Sequence, residues 1–156
     1  MYEFFFKLTN IIGEQFDKKY VLPIMMQNIS SVLNNLTCLK HKSNMNAIPI
    51  KEMLIESDLE FKIKIIGLTM NDLTEEQYVF TAVHHCFCGL YEVLDDIKIE
   101  LNKIIEECNY VETSWYYYII GWSYHNNPLY IHKIIHLSKL LMDRYKMFLE
   151  ILQVKH

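Results

Sequence analysis

The chain is poor in the residues that interrupt helices and in the cation best suited to phosphate. Its 156 residues hold 4 glycines and 3 prolines, too few for a collagen-like, disordered or turn-rich all-β chain. Arginine occurs once, as Arg144, and the formal net charge is -4. Neutralising phosphates needs a clustered basic surface, so a nucleic-acid partner is not expected and an anionic membrane surface is disfavoured. The longest apolar stretches are broken by His84, His85 or Gly121, well short of the roughly 20 residues a membrane span requires. Glu3, Lys7 and Glu14 punctuate the N-terminal stretch, which lacks the basic region and small-residue cleavage site of an export signal. The four cysteines, Cys38, Cys86, Cys88 and Cys108, are too sparse for the disulfide framework of a small secreted domain. The expectation is a cytoplasmic protein with reduced thiols.

What the chain does have is apolar mass. Hydrophobic residues make up 51% and charged residues 22%, enough for one real core at this length. We therefore expect a single all-α domain over residues 1–156, a bundle of about five to seven helices. The usage is skewed, with 20 Ile, 14 Lys and 11 Asn against 2 Ala. Such a bias follows an AT-rich genome, of the kind many viruses, phages, symbionts and parasites carry.

Helical spacing recurs along the chain. Phe5, Leu8, Ile12 and Phe16 predict a helix over residues 2–19, and Pro23 suits the first turn of a second. Met25, Ile29, Val32, Leu36 and Leu39 stripe that second helix; residues 40–49 read as a polar loop and 49–56 as a short helix. Residues 59–66 alternate like a strand, but Leu59, Ile63 and Ile66 also fit a helix, and Glu60 with Lys64 forms a favourable i,i+4 pair. With no second strand to pair it, the segment is expected to be helical.

Thr74 and Gln77 have the spacing of a capping box. From Phe80 through Val83, Phe87, Leu90, Leu94, Ile97, Leu101 and Ile104 to Cys108, apolar residues step by three and four, predicting one helix of about 35 residues, roughly 50 Å long. Val79, Cys86 and Val93 add a second stripe before Leu94, so the first half should be buried and the second peripheral. Asp96, Lys98, Glu100, Lys103 and Glu107 lie off the seam, and Glu100→Ala is expected to be near neutral. A helix over 113–125 and another from Pro128 to 153, with Asn127 as N-cap, complete the chain.

Histidine is the most suggestive residue type. His132 and His136 lie one helical turn apart, and such a pair can ligate zinc or another divalent metal if a further helix contributes. His84, His85 and Glu92 are the available contributors, with His85 and Glu92 on one face. A histidine from a middle helix joined to HxxxH on the last helix resembles the metal site of DinB-type four-helix bundles, which implies a ligand set of His85, His132 and His136. A second tetrahedral set would join Cys38 and His41 to His84 and Cys88. A thiol nucleophile at Cys86 is not supported, since His84 and His85 point to other faces of the same helix. No Gly-rich phosphate loop or GxSxG elbow occurs.

Residues 115–124 are dense in aromatics. Trp115, Tyr118, Ile119 and Trp122 form one face; Tyr117, Ile120 and Tyr124, with Tyr116 at the margin, form the opposite one. Either this helix is sandwiched in the core or its second face, Tyr116, Tyr117, Ile120 and Tyr124, meets a protein partner or a second copy of the chain.

A hydrophobic central helix wrapped by amphipathic ones resembles the architecture of Bcl-2-like proteins, viral members included, although the NWGR-type signature of the cellular family is absent. That likeness is one of fold only; from its composition and aromatic face the chain is expected to be a non-enzymatic, virus- or phage-encoded factor that modulates a host protein by binding it through a helical groove or the aromatic face. The alternative is a metal-dependent histidine-ligated bundle; the first reading needs no cofactor.

Overall fold

The computed structural model describes residues 18–42, 48–78, 81–113 and 128–154. Every described element is a helix: α1 (Lys18–Lys42), α2 (Ile48–Ser57), α3 (Leu59–Asn71), α4 (Glu75–Tyr78), α5 (Thr81–Thr113) and α6 (Pro128–Val154). The chain is thus all-α, and among the described residues no helix is long and apolar enough to cross a membrane. The expected helix over 2–19, save its last two residues, and the aromatic segment 115–124 lie outside the described residues.

One element boundary differs from the periodicity. Pro23 lies inside α1 rather than opening it; it cannot donate to the carbonyl of Lys19, a local loss near one end of the helix. The buried stripe Met25, Ile29, Val32, Leu36 and Leu39 holds the helix together despite that loss. The capping box is real in one half: the Thr74 backbone N–H donates to Gln77 Oε1 at 2.9 Å. It stands at the head of α4, and α5 carries the helical run on from Thr81 to Thr113, with residues 79 and 80 outside the described residues. Segment 59–66 is helical, as α3, with Leu59, Ile63, Ile66 and Met70 buried at helical spacing. One residue, Asp58, separates α3 from α2; its φ of 48 is a left-handed conformation that Asp tolerates better than most.

Four helices form the corners of the packing. α5 lies between α1 and α6, and α3 closes the opposite side by touching both α1 and α6. Side-chain links give the directions. Arg144 Nη1 donates to the Gly89 carbonyl at 2.7 Å and Lys133 Nζ to Glu100 at 2.6 Å, so α6 runs antiparallel to α5. Lys62 Nζ meets Ser138 Oγ at 2.8 Å and Thr69 Oγ meets Tyr145 Oη at 2.6 Å, so α3 and α6 run parallel. Lys40 pairs with Glu60 across α1 and α3, and Asn35 Nδ2 donates to Asn102 Oδ1 at 2.9 Å across α1 and α5. Between the corners lies one apolar cluster, which includes Ile66, Leu90, Leu94 and Leu141 and a tilted Phe87–Phe148 pair with centroids 5.2 Å apart. α2 docks on α6, where the buried Ser138 hydroxyl donates to the Ser57 carbonyl at 2.7 Å.

Glu100 departs from its expected place. It is 2% exposed, wedged between α5 and α6, with Oε1 accepting from Lys133 and from Lys103 at 3.0 Å. The amphipathic half of α5 is therefore covered by α6, not peripheral there.

Candidate functional site

The first half of α5 and the last turns of α6 leave a groove of about 430 Å3 between them. Ala82, His85, Cys86 and Gly89 form its α5 wall; Arg144, Met147 and Ile151 form the α6 wall. Both sets recur at steps of three, four and seven, so each is one face of a helix. The surface offered is almost wholly apolar although His85 and Arg144 belong to it, because their stems line the walls. Met147, 58% exposed, stands at the rim.

Gly89 and Arg144 build the floor. A Cβ on Gly89 would lie 3.5 Å from Arg144 Cδ, so the arginine stem runs against bare backbone. Its Nη1 donates to the Gly89 carbonyl at 2.7 Å and to Glu92 Oε2 at 3.0 Å. A guanidinium has five N–H donors in a fork; these two bonds both use Nη1.

The electrostatics argue against a nucleophile. Burial pushes the half-buried Cys86 thiol above its usual value. Burial raises Cys88 to about 11, with Cys86 and Glu92 adding to it against a backbone hydrogen bond. Both thiols stay protonated at neutral pH, whereas attack needs a thiolate. Burial, and secondarily the charge of His85, holds the imidazole of His84 below its usual value.

The histidine ligand set is not assembled. With Arg144 at Gly89 and Lys133 at Glu100, His132 and His136 lie level with residues 97–101 of α5. His85 sits twelve or more residues away along that helix, about 18 Å. His85, His132 and His136 are all exposed, and Glu92 is engaged by Arg144. The Cys38–His41 pair lies level with the far half of α5, given the Asn35–Asn102 link, roughly 25 Å from Cys88. Among the described residues no group of three or more His, Cys, Asp or Glu could hold a metal. Tyr116, Tyr117, Ile120 and Tyr124 lie outside the described residues.

Sequence reasoning missed Gly89, Arg144, Met147 and Ile151 as a set. Two signals were present: a glycine inside a strongly periodic helix, where alanine would be the more stable residue, and the single arginine of the chain. No family model, curated protein or solved structure matches the chain.

Proposed function

We propose that this is a non-enzymatic interaction factor that takes an amphipathic helix of a partner protein into the α5–α6 groove. The apolar groove carries the reading: no other described residue lies over it, and a concave apolar surface is the default candidate for binding. Its two walls repeat at helical steps, and a helix laid between them offers anchors at i, i+3, i+4 and i+7. Met147 at the rim adapts to different apolar partners. Arg144 is already paired with Glu92 at 3.0 Å and the lining is almost wholly apolar, so the occupant is held by its apolar stripe rather than by a charge. By analogy with Bcl-2-like proteins, the partner is a host protein, the source a virus or phage, and the setting the reducing cytoplasm.

The probe is a labelled amphipathic peptide with leucines at i, i+4 and i+7, followed by fluorescence anisotropy. Saturable binding is expected, weakened at least tenfold by Met147→Asp, about 1.4 kcal/mol, in a variant that melts as wild type does. Absence of saturable binding, or equal binding by the Met147→Asp variant, would sink the proposal.

A further inference from the structure

Residues 1–17 precede α1 and lie outside the described residues. Their sequence carries an apolar stripe, Phe5, Leu8, Ile12 and Phe16, at steps of three and four. Glu3, Lys7, Asn10 and Glu14 repeat at the same steps and, in a helix, fall on the opposite face. Phe5, Leu8 and Ile12 have the i, i+3, i+7 spacing of the anchors that a helix-binding groove takes. An amphipathic helix of this length draws its stability from a surface that covers its apolar face.

The start of α1 decides which surface is within reach. Asn35 of α1 meets Asn102 of α5, 67 positions on. Ile24 and Ser31 line one cavity in the same seam with Tyr91 and Lys98, which repeats that offset, so α1 and α5 run parallel. Lys18 therefore stands level with His85, on the wall of the α5–α6 groove. The width of α5, about 10 Å, separates the two. A helix over residues 2–16 is about 22 Å long. That is enough to cross α5 and lay Phe5, Leu8 and Ile12 against the apolar walls set by Ala82, Gly89, Met147 and Ile151.

We infer that residues 2–16 of the same chain occupy the α5–α6 groove. The inference rests on the reading of that groove as a helix-binding site and adds its regulation: a partner helix must displace the segment. As part of the same chain the segment acts at an effective concentration on the order of millimolar, which a separate helix has to outcompete.

The test uses the full chain carrying Leu8→Asp and Ile12→Asp together. Cys86, half-buried in the α5 wall, reports whether the groove is covered, through its alkylation by a maleimide followed by peptide mass mapping. Exposed Cys38 and buried Cys88 are the internal references. The variant should be alkylated at Cys86 about tenfold faster or more than wild type, with Cys38 unchanged and Cys88 unreactive. It should also bind the labelled leucine peptide roughly tenfold or more tighter. A faster Cys86 with unchanged peptide binding keeps the segment in the groove and removes the partner-helix reading. An unchanged Cys86 rate overturns the inference. So does Cys88 opening together with Cys86, which would make the segment part of the core and not a displaceable occupant.

Discussion

Lys133 Nζ donates to Glu100 Oε1 at 2.6 Å, joining α6 to a carboxylate that is nearly sealed from solvent. Lys103 supplies a second bond to the same oxygen at 3.0 Å, while Oε2 has no hydrogen-bond partner among the described residues. Burial pushes the Glu100 carboxyl up, but the Lys133 and Lys103 hydrogen bonds outweigh it and hold the group below its usual value. A carboxylate in this position is a register pin between two helices rather than a solvated surface charge.

Glu100→Ala should destabilise the protein by about 1 to 3 kcal/mol, read by chemical denaturation at neutral pH. Lys64→Ala, which removes an exposed partner 3.9 Å from Glu60, should change stability by no more than about 0.5 kcal/mol. Because the folded state favours ionised Glu100, its contribution is full above the ordinary glutamate value and is lost as pH falls through the lower folded value. The gap between wild type and Glu100→Gln should therefore narrow in acid. A gap that widens as pH falls would contradict this assignment.

The acid response of His84 has the same sign and a different window. Its folded value lies below the usual 6.5, so the unfolded chain takes up the proton first. Stability should decline as pH falls below about 6.5 and level off once the folded group also protonates. Denaturation between pH 7.5 and 5.5 should show a steeper decline for wild type than for His84→Gln. Parallel curves would remove His84 from the account.

Leu94 is fully buried where the two halves of α5 meet. Leu94→Ala should cost about 2 to 5 kcal/mol through lost burial and the cavity left behind. Ile99, on the same helix but 42% exposed, should tolerate alanine at a cost of about 1 kcal/mol or less. Equal losses at the two sites would show that the face of α5 turned to the core has been misassigned.

Gly89→Ala should raise stability by about 0.5 to 1 kcal/mol, because the glycine lies in mid-helix and alanine restricts the unfolded chain. The added methyl would meet Arg144 Cδ at 3.5 Å, an ordinary contact. A lowered melting temperature would show that the Arg144 stem cannot accommodate it.

The sequence by itself determined that this chain is helical and where several helices run. Leu59, Ile63 and Ile66 share a face whether or not their partners are known, and the apolar steps from Val83 to Cys108 predict burial of that stripe correctly. Helical period is a local property of the backbone, so a single stretch of chain reveals it. The place of Pro23 inside a helix was less legible, because packing along a whole helix outweighs one unfavourable residue. Only the tertiary structure decided which faces meet. The antiparallel offset that puts Arg144 on Gly89 and Lys133 on Glu100 also carries His85 away from His132 and His136. That same offset buries Glu100, whose spacing alone marks it as solvated, and opens the groove above Gly89. Contacts between residues 33 and 55 positions apart depend on the relative slide and rotation of two rods, and no window of sequence on either rod contains that information.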